Sequence, residues 1–155
     1  MMETLETKET IRLASEADVP RVVEMGRRFL AEGPYRNQLA DVPEVSTRIA
    51  AFAVTTDKCR VLVSELEGQV TGVLAFILFP HYFSGELTAG EMIWYVEPEH
   101  RPGGVALRLL WEAERMAKEM GAKRMQVTAP TSAVSDLYKR FGYDAVEVTF
   151  QKRIV

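Results

Sequence analysis

Residues 91–121 constrain this chain most. They read as a strand, a glycine-bearing turn and an amphipathic helix in unbroken succession. The strand is Glu91-Met92-Ile93-Trp94-Tyr95-Val96, the turn Arg101-Pro102-Gly103-Gly104-Val105-Ala106, and the helix runs from about Gly103 to Met120. The first N–H groups of a helix have no partner inside it, and the helix dipole adds positive character there. A glycine-rich turn at that point lets backbone approach an anion closely, so the element predicts a phosphate or pyrophosphate site. Two common phosphate binders are excluded by spacing. A P-loop needs Lys-Ser/Thr after its second glycine, and a dinucleotide fingerprint needs three glycines in G-x-G-x-x-G order; this turn has only the adjacent pair Gly103-Gly104.

The rest of the chain supports one mixed α/β domain over residues 1–155, with residues 1–8 expected as a flexible N-terminus. The length suits one domain, and 47% hydrophobic with 26% charged residues are globular values. A net charge of −3 argues against nucleic acid as a main partner. No apolar run approaches the roughly 20 residues of a membrane span. The start of the chain lacks the cationic and apolar regions of a secretory signal, so a cytoplasmic protein without a membrane partner is expected. The single Cys59 excludes an internal disulfide and reads as a strand-end hydrophobe; no His/Cys cluster suggests a metal site.

Periodicity and turn chemistry give the order. Thr10–Ala14 alternates as a strand, and Ser15 with Asp18 opens a helix running to about Ala31. After a loop over Tyr35–Val42, Pro43 opens a second helix whose apolar side includes Val45, Ile49, Phe52 and Ala53. Arg60–Leu66 and Gln69–Phe79 form a hairpin about Glu67-Gly68, and an aromatic turn over Pro80–Gly85 leads to a long strand over Leu87–Val96. Beyond the phosphate-turn helix, strands are expected over Lys123–Ala129 and Ala145–Lys152, separated by a helix over Thr131–Phe141. The order is β-α-α-β-β-β-α-β-α-β.

The motif Arg-x-x-Gly-x-Ala (Arg101, Gly104, Ala106) after Tyr95-Val96-Glu97-Pro98-Glu99, with Leu137-Tyr138-Lys139-Arg140-Phe141-Gly142-Tyr143 downstream, resembles the GNAT N-acetyltransferase superfamily, most closely its small stand-alone bacterial and phage-encoded members. The resemblance covers nearly the whole chain, and its specific residues lie within 91–143. It implies an α+β GNAT fold that transfers acetyl from acetyl-CoA directly to an amine. The absence of a suitable cysteine nucleophile agrees with direct attack. It also implies that the strands ending at Val96 and Ala129 splay apart for the pantetheine arm. Tyr95 and Val96 would offer backbone contacts, an N–H near Val96 would polarise the thioester carbonyl, and the turn Arg101–Ala106 would hold the pyrophosphate. Many relatives carry an extra Lys or Arg where Pro102 and Gly103 stand, so a modest CoA affinity is expected. Relatives often place an Asn against the cofactor where this chain has Thr131.

Tyr138 is the candidate general acid for the departing thiolate, since a phenol is protonated at neutral pH; its alternative is packing on the sheet. Glu91 is the candidate base, with a solvated strand-end charge as its alternative and a bulge as the feature that could rotate it away. His81 is a rival base, while His100 and Arg108 read as surface residues. The acceptor side is expected around Tyr35 and Arg36 in the first loop and His81 and Tyr82 in the aromatic turn, with Glu32 or Asp41 able to attract a cation. The acceptor is a small-molecule or peptide amine, and a homodimer is compatible with the reading. A non-catalytic acyl-CoA-binding or regulatory module on the same fold is the alternative.

Overall fold

The computed structural model describes residues 8–155. The expectation for residues 1–8 therefore lies, Lys8 apart, outside the described residues. One five-stranded sheet in the order β1-β2-β3-β4-β5 carries the fold. Its strands are β1 (Thr10–Leu13), β2 (Cys59–Leu66), β3 (Gln69–Pro80), β4 (Leu87–Val96) and β5 (Arg124–Gln126). The first four pair antiparallel, and β5 runs parallel to β4 after a helical crossover. The tight turn between β2 and β3 has both Glu67 and Gly68 at positive φ, 50° and 78°, the conformation that suits a twisted two-residue hairpin.

Strand alternation sorts the core into two layers. Leu62, Leu74, Phe76, Ala89 and Val96 face helices α3 (Val105–Glu119) and α4 (Ser132–Arg140). Val61, Val63, Val73, Ala75 and Tyr95 face helices α1 (Val19–Glu32) and α2 (Pro43–Thr55). In α3 the buried residues Val105, Leu109, Leu110, Ala113 and Ala117 recur at helical spacing and form one stripe against the sheet. At the start of α1, a 3-10 turn over Glu16–Asp18 is held by the Ser15 N–H, which donates to Asp18 Oδ2 at 2.7 Å, and by Arg12 Nη1 on the same oxygen at 2.7 Å. The arginine holds the Asp18 carboxyl at about 2, well below the usual carboxylate range.

Four expectations are corrected. The phosphate-turn helix begins at Val105 rather than Gly103, because Pro98–Gly103 is a 3-10 segment and Gly104 is left-handed with φ 77°. The strand expected over Lys123–Ala129 pairs only from Arg124 to Gln126, since the ladder with β4 ends at Gly90↔Gln126. Of the apolar positions of α2, only Ala53 is buried; Val45, Ile49 and Phe52 stay exposed, because α2 meets the sheet through its small face, with Ala50 and Val54 beside Ala53. The final strand over Ala145–Lys152 does not form. Its alternating pattern is present, but residues 144–155 are exposed and have no ladder partner, and without a partner an extended segment is not a strand.

Candidate active site

The site is built where β4 and β5 part company. Beyond Gly90↔Gln126 the two strands no longer pair, and the carboxylate of Glu91 takes the next backbone donor instead, accepting from Thr128 N at 3.1 Å. The Tyr138 hydroxyl, on α4, lies 3.3 Å from Glu91 Oε2 and 3.3 Å from Thr128 O, so its one proton can serve either acceptor. The pair thus closes one end of the opening between β4 and β5.

A bulge brings Glu91 there. In the β3–β4 ladder Ala75 faces Ile93 and Phe76 faces Glu91, so Met92 is the extra residue. Without it, Glu91 and Trp94 would point to opposite faces of the sheet, being an odd number of residues apart. With it, Ala89, Glu91, Trp94 and Val96 all lie on the α3/α4 side with Tyr138. The bulge anticipated as a hazard to Glu91 is what turns it toward Tyr138. Trp94 stacks on the Tyr138 ring with centroids 5.7 Å apart and planes 30° apart. Tyr143 also packs on the Tyr138 ring, with centroids 5.4 Å apart, and donates to Glu114. Burial raises the Glu91 carboxyl above its usual range, against the hydrogen bonds from Thr128 and Tyr138. Burial and the neighbouring Glu91 charge also push the Tyr138 phenol well up. The indole N–H of Trp94 is buried without a hydrogen-bond partner among the described residues, a spare donor on the Tyr138 side of the sheet.

At the other end of β4, Glu97 N–H donates to Thr71 O of β3 at 2.9 Å. By strand alternation the N–H and C=O of Val96 then face away from β3, into the opening toward β5. Glu97 is 3% exposed, and its carboxylate is held by Arg28 Nη1 at 2.7 Å and Arg21 Nη2 at 3.1 Å, which ties the strand end to α1. The α3 N-terminus follows, with Gly104 as its N-cap and no side chain capping it. The N–H groups of Val105 and Ala106 are therefore free of intrahelical partners. Space is open at both glycines, where an added Cβ would meet nothing within 4 Å. The start of α3 therefore presents uncapped backbone donors beside two open glycines.

The remaining expected residues lie as follows. Arg101 turns toward α1: its Nε donates to Val96 O at 2.8 Å, Nη2 to Glu32 at 2.8 Å, and its guanidinium lies 5.3 Å from the Tyr95 ring centre. Tyr95 points to the α1/α2 face, donates to Glu32 at 3.1 Å, and is pushed up to about 12 by burial and that carboxylate. Pro102 lies within the 3-10 segment that leads to the helix. Thr131 caps α4, its hydroxyl accepting from Val134 N at 3.3 Å. His100 is not a free surface residue; its Nδ1 lies 2.7 Å from Glu9, which also accepts from Thr71 and, through its carbonyl, from Arg108. Tyr35 packs on Phe29 with centroids 6.3 Å apart, and Arg36 is exposed in the same loop. His81 touches Tyr82 and Phe83 in an exposed aromatic turn. Glu32 and Asp41 are not free to attract a cation, being paired with Arg101 and Arg27. Burial raises the Cys59 thiol, which suits a core residue.

The anchors Glu97–Arg28–Arg21 and Glu32–Arg101–Tyr95 were missed by sequence reading. A charged residue after an apolar strand reads as exposed, and its partners lie 69 and 76 positions away; no local pattern marks them.

The family model for the acetyltransferase (GNAT) family matches residues 27–143, which run from the second half of α1 through α4 and include the whole opening between β4 and β5. The chain belongs to the GNAT family. Several solved structures share the fold. A transcriptional regulator from Bacillus halodurans C-125 superposes with TM-score 0.79 at 21% identity, covering 95% of this chain and 100% of that one. A predicted acetyltransferase from Clostridium acetobutylicum, solved with acetyl-CoA, gives 0.79 at 18% identity, covering 95% and 97%. An aminoglycoside acetyltransferase from an uncultured soil metagenomic sample gives 0.72 at 19% identity, covering 97% and 98%. No curated protein matches the chain. Membership makes acyl transfer the supported class of reaction. Among the described residues, no helix is long and apolar enough to cross a membrane.

Proposed function

We propose that this GNAT protein transfers an acetyl group from acetyl-CoA directly to a primary amine. The observation that carries the reading is the Glu91–Tyr138 pair, 3.3 Å apart at the point where β4 and β5 separate. The uncapped α3 N-terminus would take the pyrophosphate, and the opening between the strands the pantetheine arm. Glu91 accepts the proton of the acceptor ammonium, directly or through one water, a task favoured by its raised carboxyl. The freed nitrogen attacks the thioester carbon, the oxygen that gains charge faces the Val96 N–H, and the nitrogen, now an ammonium, releases its second proton to solvent. As the C–S bond breaks, the thiolate takes the Tyr138 proton.

The two side chains then act as one relay. A phenolate beside an ionised Glu91 is disfavoured, since that charge helps to push Tyr138 up. Once Glu91 holds the amine's proton, the charge is gone, and Glu91 can hand its proton to the Tyr138 oxygen as Tyr138 gives its own to sulfur. One proton is taken up and one released, so the pair returns to its starting state.

A small-molecule amine is the acceptor class favoured by the aminoglycoside acetyltransferases among the structural neighbours. The test mixes the protein with acetyl-CoA and a panel of aminoglycosides, polyamines and peptide N-termini, and follows released thiol. Acceptor-dependent release is expected. Tight acetyl-CoA binding without release for any amine would favour a binding module, and no binding at all would overturn the reading.

A further inference from the structure

Both ends of the glycine turn before α3 are tied to one residue far away in the chain. Glu9 stands immediately before β1, yet its Oε1 lies 2.7 Å from His100 Nδ1 in the 3-10 segment, and its main-chain carbonyl accepts from Arg108 Nη1 of α3 at 2.7 Å. His100 precedes Gly103 by three residues and Arg108 follows Gly104 by four, so the two contacts bracket the glycines. The other carboxylate oxygen accepts from Thr71 Oγ1 of β3 at 2.8 Å. That uses the one proton of the Thr71 hydroxyl, so the 2.8 Å contact between Thr71 and Ser64 is donated by Ser64. A chain of hydrogen bonds thus runs from β2 through β3 to Glu9, and Ser64 and Thr71 are both buried. Gly72 leaves room for it, since an added Cβ there would stand 2.8 Å from Ser64 Oγ. The Thr71 carbonyl also accepts from Glu97 N–H, so one residue of β3 holds the end of β4 and, through Glu9, the turn beyond it.

We propose that Glu9 is a positioning residue for the pyrophosphate turn: by holding His100 and Arg108 it fixes the N–H groups of Val105 and Ala106 in the arrangement that receives the cofactor. The proposal rests on the function proposed above. The turn needs such a brace. Its two glycines stand in open space, and a glycine loses more freedom on ordering than any other residue. No side chain caps α3 to steady its first turn. Donors already fixed in place spare the ligand the cost of ordering them, so a braced turn binds more tightly than a loose one with the same groups. Arg101 also anchors this segment, through Val96 O and Glu32, but it stands before both glycines. Glu9 takes a contact on each side of them. A buried network in which each hydroxyl and carboxylate oxygen has a partner specifies one geometry, which is what a site built from backbone donors requires.

The test compares wild type, Glu9→Ala and Glu9→Gln in CoA binding by calorimetry, in acetyl transfer, and in backbone order at residues 103–106 by NMR relaxation. Glu9→Ala should weaken CoA binding about tenfold, equivalent to about 1.4 kcal/mol, and lower the order parameters of the turn. In transfer the loss should fall on KM for acetyl-CoA rather than on kcat, and S-acetylpantetheine, a donor without the pyrophosphate, should be used equally well by both proteins. Glu9→Gln still accepts from His100 and can reverse the bond to Thr71, so it should stay close to wild type. Unchanged CoA affinity in Glu9→Ala would overturn the proposal. So would an equal loss with S-acetylpantetheine, or a Glu9→Gln as weak as Glu9→Ala, which would make charge rather than position the cause. Should Glu9→Ala not fold, His100→Ala cuts the same brace at one end and is held to the same outcomes. A wild type that binds no CoA would sink the proposed function; the order parameters then decide the brace alone, and a turn as ordered in Glu9→Ala as in wild type would overturn it.

Discussion

Tyr138→Phe removes one hydroxyl and leaves a ring that still packs on Trp94 and Tyr143, 5.7 and 5.4 Å away. What is lost is a donor shared between Glu91 and Thr128 O, each 3.3 Å away. At those lengths the hydroxyl contributes a net stability of about 1 kcal/mol, a shift of about 2–4 °C in Tm for a chain of this size. The catalytic loss should be larger. If the phenol protonates the departing thiolate, kcat falls by roughly 10²–10⁴, equivalent to about 3–5 kcal/mol of barrier. A second signature follows from the relay. The Tyr138 hydrogen bond is one of the two that hold the Glu91 carboxyl down against burial. Its removal lets that carboxyl rise further, and the acid limb of the pH–rate profile moves to higher pH. The assay is thiol release with saturating acetyl-CoA and an active amine, over a range of pH, with acetyl-CoA affinity measured by calorimetry. Full kcat with normal affinity would refute the acid role. A joint fall of kcat and affinity would show that the hydroxyl positions the sulfur instead.

Glu91→Gln should lower turnover most at low pH, where the acceptor amine most needs a base. Because burial raises the folded-state pKa of Glu91, the group favours folding below its unfolded value of 4.5 and its ionised form opposes folding above the raised one. Thermal melts from pH 4 to 8 should therefore show the variant gaining stability over wild type as pH rises. Gly103→Ala adds a Cβ in open space without a backbone penalty, since only Gly104 of the pair has positive φ. It should weaken CoA binding with Tm unchanged, whereas Gly104→Ala should also cost about 1–2 kcal/mol in stability, measurable by urea titration. Asp18→Asn removes a carboxylate held at about 2 by Arg12, a contribution present above 3.8 and lost as pH falls through about 2. At pH 7 the loss is at most about 2 kcal/mol, because the Arg12 side chain is 38% exposed, and melts of the two proteins should converge near pH 2.

The parts of the fold that were legible are those written in local patterns. The β2–β3 hairpin was readable because Glu67-Gly68 is flanked by alternating residues, and β4 was readable over its full length, Leu87–Val96. The helix after the phosphate turn was legible from the spacing of Val105, Leu109, Ala113 and Ala117. The boundaries that moved were set by tertiary structure. The parallel strand stops at Gln126 because its neighbour turns a carboxylate, not a backbone carbonyl, toward Thr128. The last strand has every local sign of one but needs an edge to pair with. The apolar residues of α2 predicted a buried stripe, yet a helix can also meet a sheet through alanines and leave its larger side chains outside.

The candidate site shows the same division at the scale of one residue. The chemistry of Glu91 and Tyr138 is readable in the chain as an acid and a phenol 47 positions apart. Whether they meet depends on Met92, whose only contribution is to be one residue too many in β4. Counting by twos along Glu91–Val96 puts Glu91 on the face of Ile93 and Tyr95, which belong to the α1/α2 layer, away from Tyr138. The inserted residue reverses that parity upstream of itself and leaves Trp94 and Val96 where they were. The same bulge bends β4 close to where its pairing with β5 ends, so the feature that aims the carboxylate also stands at the start of the opening the acyl arm would enter. A bulge has no reliable signature in a single sequence, because it is decided by how two strands register rather than by either strand alone. The meeting of Glu91 with Tyr138 is therefore a property of the β3–β4 ladder.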